Sequence, residues 1–194
     1  LAFVGVIQLK MFGAEIYVSS LVAVSMTRIM GAIMTGIILA GRTGASYAAV
    51  IGTMQVNEEI DALTTLAVAP SDYLIMPRVL ALTAMTPLLV LYSDFMGIMG
   101  GFIVGVGILG LDIDPMEYYT FTQKGFNINN LWVGMVHGAV YGMLIAITGC
   151  YQGLRCGRNA EAVGKATTSA VVYSIVGIVL STAVLTILCN ILNI

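Results

Sequence analysis

A chain of 194 residues in which only 9% are charged and 59% are apolar cannot cover itself with a charged surface, because soluble proteins carry about 25% charged residues. The bilayer must therefore be the solvent for much of this chain, and a soluble domain is excluded. The net charge of -2 and the lack of a basic run also exclude a nucleic-acid binder.

Residues 1–9 are apolar but too short to span, since crossing about 30 Å of hydrocarbon takes roughly 20 residues. They read as the end of a helix that begins earlier. Leu1-Ala2-Phe3, with no Met and no signal-peptide pattern, reads as a start inside a longer protein. After a short linker at 10–19, residues 20–51 form a first full span that carries Arg28 and Arg42. A long polar linker follows at 53–78. The second span, 78–111, carries Asp94, and an acidic, aromatic linker occupies 112–130. The third span lies between Lys124 and Arg155 and contains His137. The linker at 152–165 leads to a last span, from Lys165 to the C-terminus, without a charge. The expected fold is all-α and polytopic: about five transmembrane helices, the first truncated, in one domain over 1–194.

Arg155, Arg158 and Lys165 outweigh Glu161 in the 152–165 linker, so the positive-inside rule places it in the cytoplasm. Alternation then puts 53–78 inside as well, and 10–19, 112–130 and the C-terminus outside. Gly97, Gly101 and Gly105 recur at i, i+4 spacing. Such a face lets helix backbones approach closely, either within one chain or across a dimer seam. Cys150, Cys156 and Cys189 fit no metal or disulfide spacing.

Residues 57–68 carry the marks of a short amphipathic helix. Asn57 is a suitable N-cap. Glu58, Glu59 and Asp61 sit in the first turn, where the helix dipole favours carboxylates. Val56, Ile60, Leu63 and Ala67 share one face, and Pro70 would stop the helix. A helix lying on an anionic leaflet would present Lys and Arg; this one presents carboxylates, which suits a protein partner better.

Four blocks in order carry a resemblance: Gly41-Arg42-Thr43-Gly44-Ala45, Ile51-Gly52-Thr53-Met54, Asn57-Glu58-Glu59-Ile60-Asp61-Ala62-Leu63 and Pro77-Arg78-Val79-Leu80-Ala81. Together with Gly164-Lys165-Ala166-Thr167-Thr168 they resemble the MlaE permease family, membrane subunits of MCE-associated ABC systems that move phospholipid between membranes. The likeness covers nearly the whole chain. It implies one permease domain in the cell inner membrane that lacks its N-terminal interfacial helix and most of its first span. It implies a coupling role for Glu58, Glu59, Ile60, Asp61, Leu63 and Arg78 at a cytoplasmic ATPase subunit. That ATPase would hold ATP and Mg, with no cofactor bound by this chain. It also implies a homodimer with phospholipid between the copies, lined by Gln8, Leu9, Phe12 and Arg28, and an MCE-domain partner on the outer side. Tyr118, Tyr119, Phe121 and Phe126 would face that partner or anchor at the membrane interface.

The chain also departs from the family. Ile29 and Val50 stand where many members have carboxylates, and an acidic residue is missing near Ser181-Thr182. Arg28 therefore lacks its expected neighbour and should meet a cavity, a lipid headgroup or another partner. No phosphate-binding loop is present, and Gly105-Val106-Gly107-Ile108-Leu109-Gly110 lies in an apolar span rather than between strand and helix. The alternative reading is an ATP-independent carrier or channel, with Arg28, Asp94 and His137 as its available polar groups.

Overall fold

The computed structural model describes residues 2–12, 16–108 and 114–192, and among them it contains helices and no strand. We number the helices α1 (Ala2–Lys10), α2 (Tyr17–Val56), α3 (Glu59–Thr65), α4 (Ser71–Val106), α5 (Pro115–Gly125), α6 (Ile128–Leu154) and α7 (Ala160–Ile191). Four of them, α2, α4, α6 and α7, are long and apolar enough to cross a membrane. The protein is an all-α polytopic membrane protein.

The spans overrun the windows expected from hydropathy. α2 is 40 residues long and α4 is 36, whereas about 20 suffice for the hydrocarbon. A helix does not unwind where the hydrocarbon ends, because its backbone hydrogen bonds are equally satisfied in the headgroup region. α2 is not uniform, however. It widens into π-helical turns at Met26–Met30 and Ala40–Gly44, and these two turns carry Arg28 and Arg42.

α6 is the central element and packs on α2, α4 and α7. Small residues make this possible. A Cβ at Gly134 would overlap the Thr27 carbonyl oxygen, one at Gly138 would come within 2.8 Å of Val90, and one at Gly153 within 2.7 Å of Ile51. The core joins Ala32, Ala40, Leu82, Val90, Tyr141, Ile145, Ala146 and Ile178 from all four spans. Two hydroxyl pairs tie α6 to α7: Tyr141 to Thr182 at 2.6 Å and Thr148 to Ser174 at 2.6 Å. In lipid such bonds contribute about 0.6 kcal/mol each, with a maximum near 1.7. Thr182 thus pairs with a tyrosine at the position where the sequence lacks an acid.

The Gly97, Gly101 and Gly105 face is used within the chain. Gly97 admits Met26, while Gly101 and Gly105 admit Tyr118 of α5. The linker expected at 112–130 contains the helix α5. Asp114 caps it by accepting from the Met116 N–H at 3.3 Å, Pro115 opens it, and Lys124 closes it. Gly125 lies so near Ser20 that a Cβ there would approach the Ser20 backbone to 2.9 Å. Tyr17 and Phe121 meet edge to face at 5.8 Å, as do Phe102 and Tyr118 at 5.5 Å. α5 therefore rests on the start of α2 and the end of α4. The opposite ends of those spans carry α3, so the two short helices lie at opposite ends of the bundle.

Candidate functional site: a short end helix and three surface grooves

The helix expected over 57–68 is shorter and begins differently. Asn57 is the C-cap of α2, not the N-cap of the next helix. Glu58 takes a left-handed backbone, φ 61°, and turns the chain into α3. Asn57 Nδ2 instead donates to Glu59 Oε1 at 3.1 Å. α3 ends at Thr65, Ala67 has φ 58°, and Pro70 starts α4's first turn. Val56 and Ala67 therefore lie outside the helix whose face they were expected to share. The sequence pattern failed here because a single positive-φ residue broke one apparent helix into two.

The apolar side of α3 is spent within the chain. Ile60, 7% exposed, packs with Ile51 of α2, Leu74 of α4 and Cys150 of α6. Leu63 lies partly buried against the same cluster, with Tyr47, Met54, Ile75 and Leu154 around it. The fourth span is reached through charge. Arg158, just before α7, meets Asp61 at 2.7 Å and Glu58 at 3.5 Å. Both pairs are well exposed, so each adds roughly 0.2–1 kcal/mol at most. Their geometry nevertheless puts the 53–78 and 152–165 segments at one end of the bundle.

Arg78 is drawn into the body. Its guanidinium lies 5.6 Å from the centre of the Tyr47 ring, and its Nη1 is buried without a hydrogen-bond partner. Tyr47 in turn packs on the Ile60 cluster, so Arg78 braces the floor beneath α3. Of the six residues expected to couple, Glu58, Glu59 and Asp61 lie at the surface of α3, Ile60 and Leu63 face inward, and Arg78 lies beneath. The outward face is Glu59, Ala62 and Leu66, with Leu66 73% exposed. Leu66 was not anticipated. The i, i+3, i+7 spacing from Glu59 through Ala62 would have found it, had the helix start been placed correctly.

Among the described residues, three mainly apolar grooves open on the surface of the bundle. Gln8, Leu9 and Phe12 line one of about 310 Å³ with Val4, Gly5 and Leu21. The structure thus brings together three of the four expected lipid-contacting residues. Arg28 is not among them. Its Nη1 donates to Asn130 Oδ1 at 3.0 Å, so an amide at the entry of α6 stands where a carboxylate neighbour was expected. A second groove, about 450 Å³, is lined by Phe3, Met26, Met30, Met34 and the Gly97–Gly101 turn. The third, about 390 Å³, lies between α2 and α4. A separate polar recess of about 720 Å³ opens between α6 and α7, with Arg155 donating to the Tyr151 hydroxyl at 2.5 Å.

Asp94 and His137 are buried in the body, 3% and 1% exposed. A Cβ at Gly31 would overlap Asp94 Oδ1. His137 Nδ1 bonds the Val133 carbonyl at 2.7 Å, and its Nε2 has no partner. Neither residue lines a groove described above. Outside the spans, burial raises the Tyr118 phenol above its ordinary range and the Cys156 thiol likewise.

Four apolar spans around a glycine-rich central helix, with a short helix docked across one end, form an all-α polytopic membrane bundle. The chain belongs to the MlaE permease family, whose model matches residues 1–188. A probable ABC transporter permease protein of Rickettsia typhi is 43% identical over 175 residues, 90% of this chain and 67% of the relative. One from Synechocystis is 36% identical over 170 residues, 88% of this chain and 64% of the relative. The chloroplastic protein trigalactosyldiacylglycerol 1 of Arabidopsis thaliana is 33% identical over 168 residues, 87% of this chain and 47% of the relative. The protein is an ABC transporter permease.

Proposed function

We propose that this chain is the inner-membrane subunit of an ABC system that moves phospholipid between membranes. It acts as a homodimer with lipid between the copies, driven by ATP and Mg in a separate cytoplasmic ATPase, and it passes lipid to or from an MCE-domain partner on the outer side. The observation that carries this reading is the seat of α3. A partner pushing on Glu59, Ala62 and Leu66 moves a helix that is packed on α2, α4 and α6 and ion-paired to the α7 entry. Packed interiors transmit displacement because they are nearly incompressible. The apolar grooves, one of them lined by Gln8, Leu9 and Phe12, suit acyl chains better than a hydrophilic solute. The chloroplastic relative's name adds a glycerolipid to this argument.

The test uses Glu59→Lys and Leu66→Asp, whose side chains are exposed and outside the apolar core, Glu59 making one exposed hydrogen bond with Asn57. Both variants should lose the co-purifying ATPase while keeping the parent's thermal unfolding midpoint. Retention of the ATPase by both would count decisively against the assignment of α3. The substrate is tested separately, by mass spectrometry of lipids bound to the purified complex. Phospholipid at near-stoichiometric amounts supports the reading, and a lipid-free complex contradicts it.

A further inference from the structure

The groove between α2 and α4 has a distinct construction. Thr35, Ile38 and Leu39 form one wall, Leu89, Tyr92, Ser93 and Met96 the other, and Arg42 closes one end. The rest of its lining is mainly apolar, with hydroxyls from Thr35, Tyr92 and Ser93, and Ile38 and Tyr92 are 68% and 61% exposed. Arg42 is exposed, and no carboxylate pairs with it among the described residues. It sits on the second π-helical turn of α2, Ala40–Gly44. Such turns displace side chains from the regular helical stripe and recur at functional sites.

Depth separates this arginine from Arg28. Arg28 bonds Asn130 in the first turn of α6, close to where that span enters the hydrocarbon. At 1.5 Å per residue Arg42 lies about 20 Å further along α2, so in a hydrocarbon layer of about 30 Å it is within roughly 10 Å of the opposite boundary. Arg42 lines the groove at its α3 end, where the phosphate of a headgroup from the leaflet on that side can meet its guanidinium. The walls run from Arg42 past Ile38 to Thr35 on α2, and from Leu89 on α4 to Met96, whose neighbour Gly97 packs on Met26. A cation at the headgroup end and an apolar trough below it match one molecule: a phospholipid with its phosphate on Arg42 and one acyl chain in the trough.

We propose that this groove binds an anionic phospholipid from the leaflet on the α3 side, at a site separate from the Gln8, Leu9 and Phe12 groove. Zwitterionic headgroups carry their own cation beside the phosphate and compete with Arg42. Anionic headgroups leave the phosphate to the guanidinium, whose fork suits phosphate oxygens. The inference rests on the proposed lipid function for its choice of ligand.

The reporter is Tyr92→Trp in a Trp132→Phe background, Trp132 being the sole tryptophan. The full-length chain is reconstituted in phosphatidylcholine vesicles with increasing brominated-chain phosphatidylglycerol or brominated-chain phosphatidylcholine. Quenching by the brominated phosphatidylglycerol should saturate at about tenfold lower mole fraction, the discrimination one charge-assisted contact supplies. Arg42→Gln should remove that preference, and Arg42→Lys should keep part of it. Equal quenching by the two lipids, or a preference that survives Arg42→Gln, overturns the site. Relief of quenching by millimolar inorganic phosphate also overturns it, because the cation would then serve a free anion. Binding is read without transport. A preference in a complex that moves no lipid therefore leaves the site standing and refutes the transport reading. Transport without a preference refutes the site alone.

Discussion

At one end of the molecule α3 buries Ile60 among residues of three spans and reaches the fourth through Arg158. At the other end α5 buries Tyr118 against the glycines of α4 and sets Phe121 edge to face with Tyr17 of α2. Both are short amphipathic helices held by one large buried side chain. They differ in what they leave outside. α3 presents carboxylates and Leu66, whereas α5 presents Met116, Tyr119 and Phe126 together with one carboxylate, Glu117, and Lys124. They also differ in connection. α3 packs on three spans and is ion-paired just before the fourth, whereas α5, among the described residues, packs on α2 and α4. A motor placed on α3 would move the bundle, while a partner on α5 would meet a platform.

The comparison can be broken by substitution, beginning with the largest effect. Tyr118→Ala should lower unfolding stability by about 3–5 kcal/mol, the cost of an emptied aromatic site, and still leave the ATPase bound. Thermal unfolding paired with co-purification checks both halves. Ile60→Ala should cost about 2–4 kcal/mol and, unlike Tyr118→Ala, weaken the coupling of ATP hydrolysis to lipid movement while the ATPase stays attached. If the two variants affect coupling equally, the wiring difference is wrong. Arg158→Ala should cost less than about 1 kcal/mol, and the loss should shrink in high salt because the pairs are exposed; a salt-independent loss would mean that Arg158 does something else.

The smallest effect is a pH dependence. Burial raises the Cys156 thiol pKa in the folded state, so the folded protein holds that proton more tightly than the unfolded chain does. Stability is then unaffected well below the unfolded thiol pKa of about 8.5 and falls as the pH rises through it toward the folded value. Cys156→Ala should flatten the melting temperature between about pH 8 and 10 relative to the parent. An unchanged slope would assign the loss to other groups.

Much of this was legible in the sequence. Charge is so scarce that four spans declare themselves, and the carboxylates at 58, 59 and 61 marked the α3 region correctly. Boundaries were less legible, because helices run past the hydrocarbon and because Glu58 turns left-handed where Asn57 looked like a cap. α5 was hidden in a linker, since an eleven-residue helix with Asp114-Pro115 at its start gives too short a period to stand out. The partner of Arg28 was invisible because Asn130 lies far along the chain. The inward use of Ile60, Leu63 and Arg78 depends on tertiary packing that no local pattern encodes. Gln8, Leu9 and Phe12 do share a groove, although their spacing alone could not show its other wall.

In the proposed function α3, and not α5, receives the motor. Single cysteines at the two exposed faces decide it, with Cys189→Ser removing the one native thiol that is not buried. Leu66→Cys and Tyr119→Cys are each treated with a short thiol-to-amine crosslinker in membranes holding the whole complex. Position 66 should crosslink to the ATPase subunit and position 119 should not. A crosslink from 119 to the ATPase, or none from 66, would contradict it.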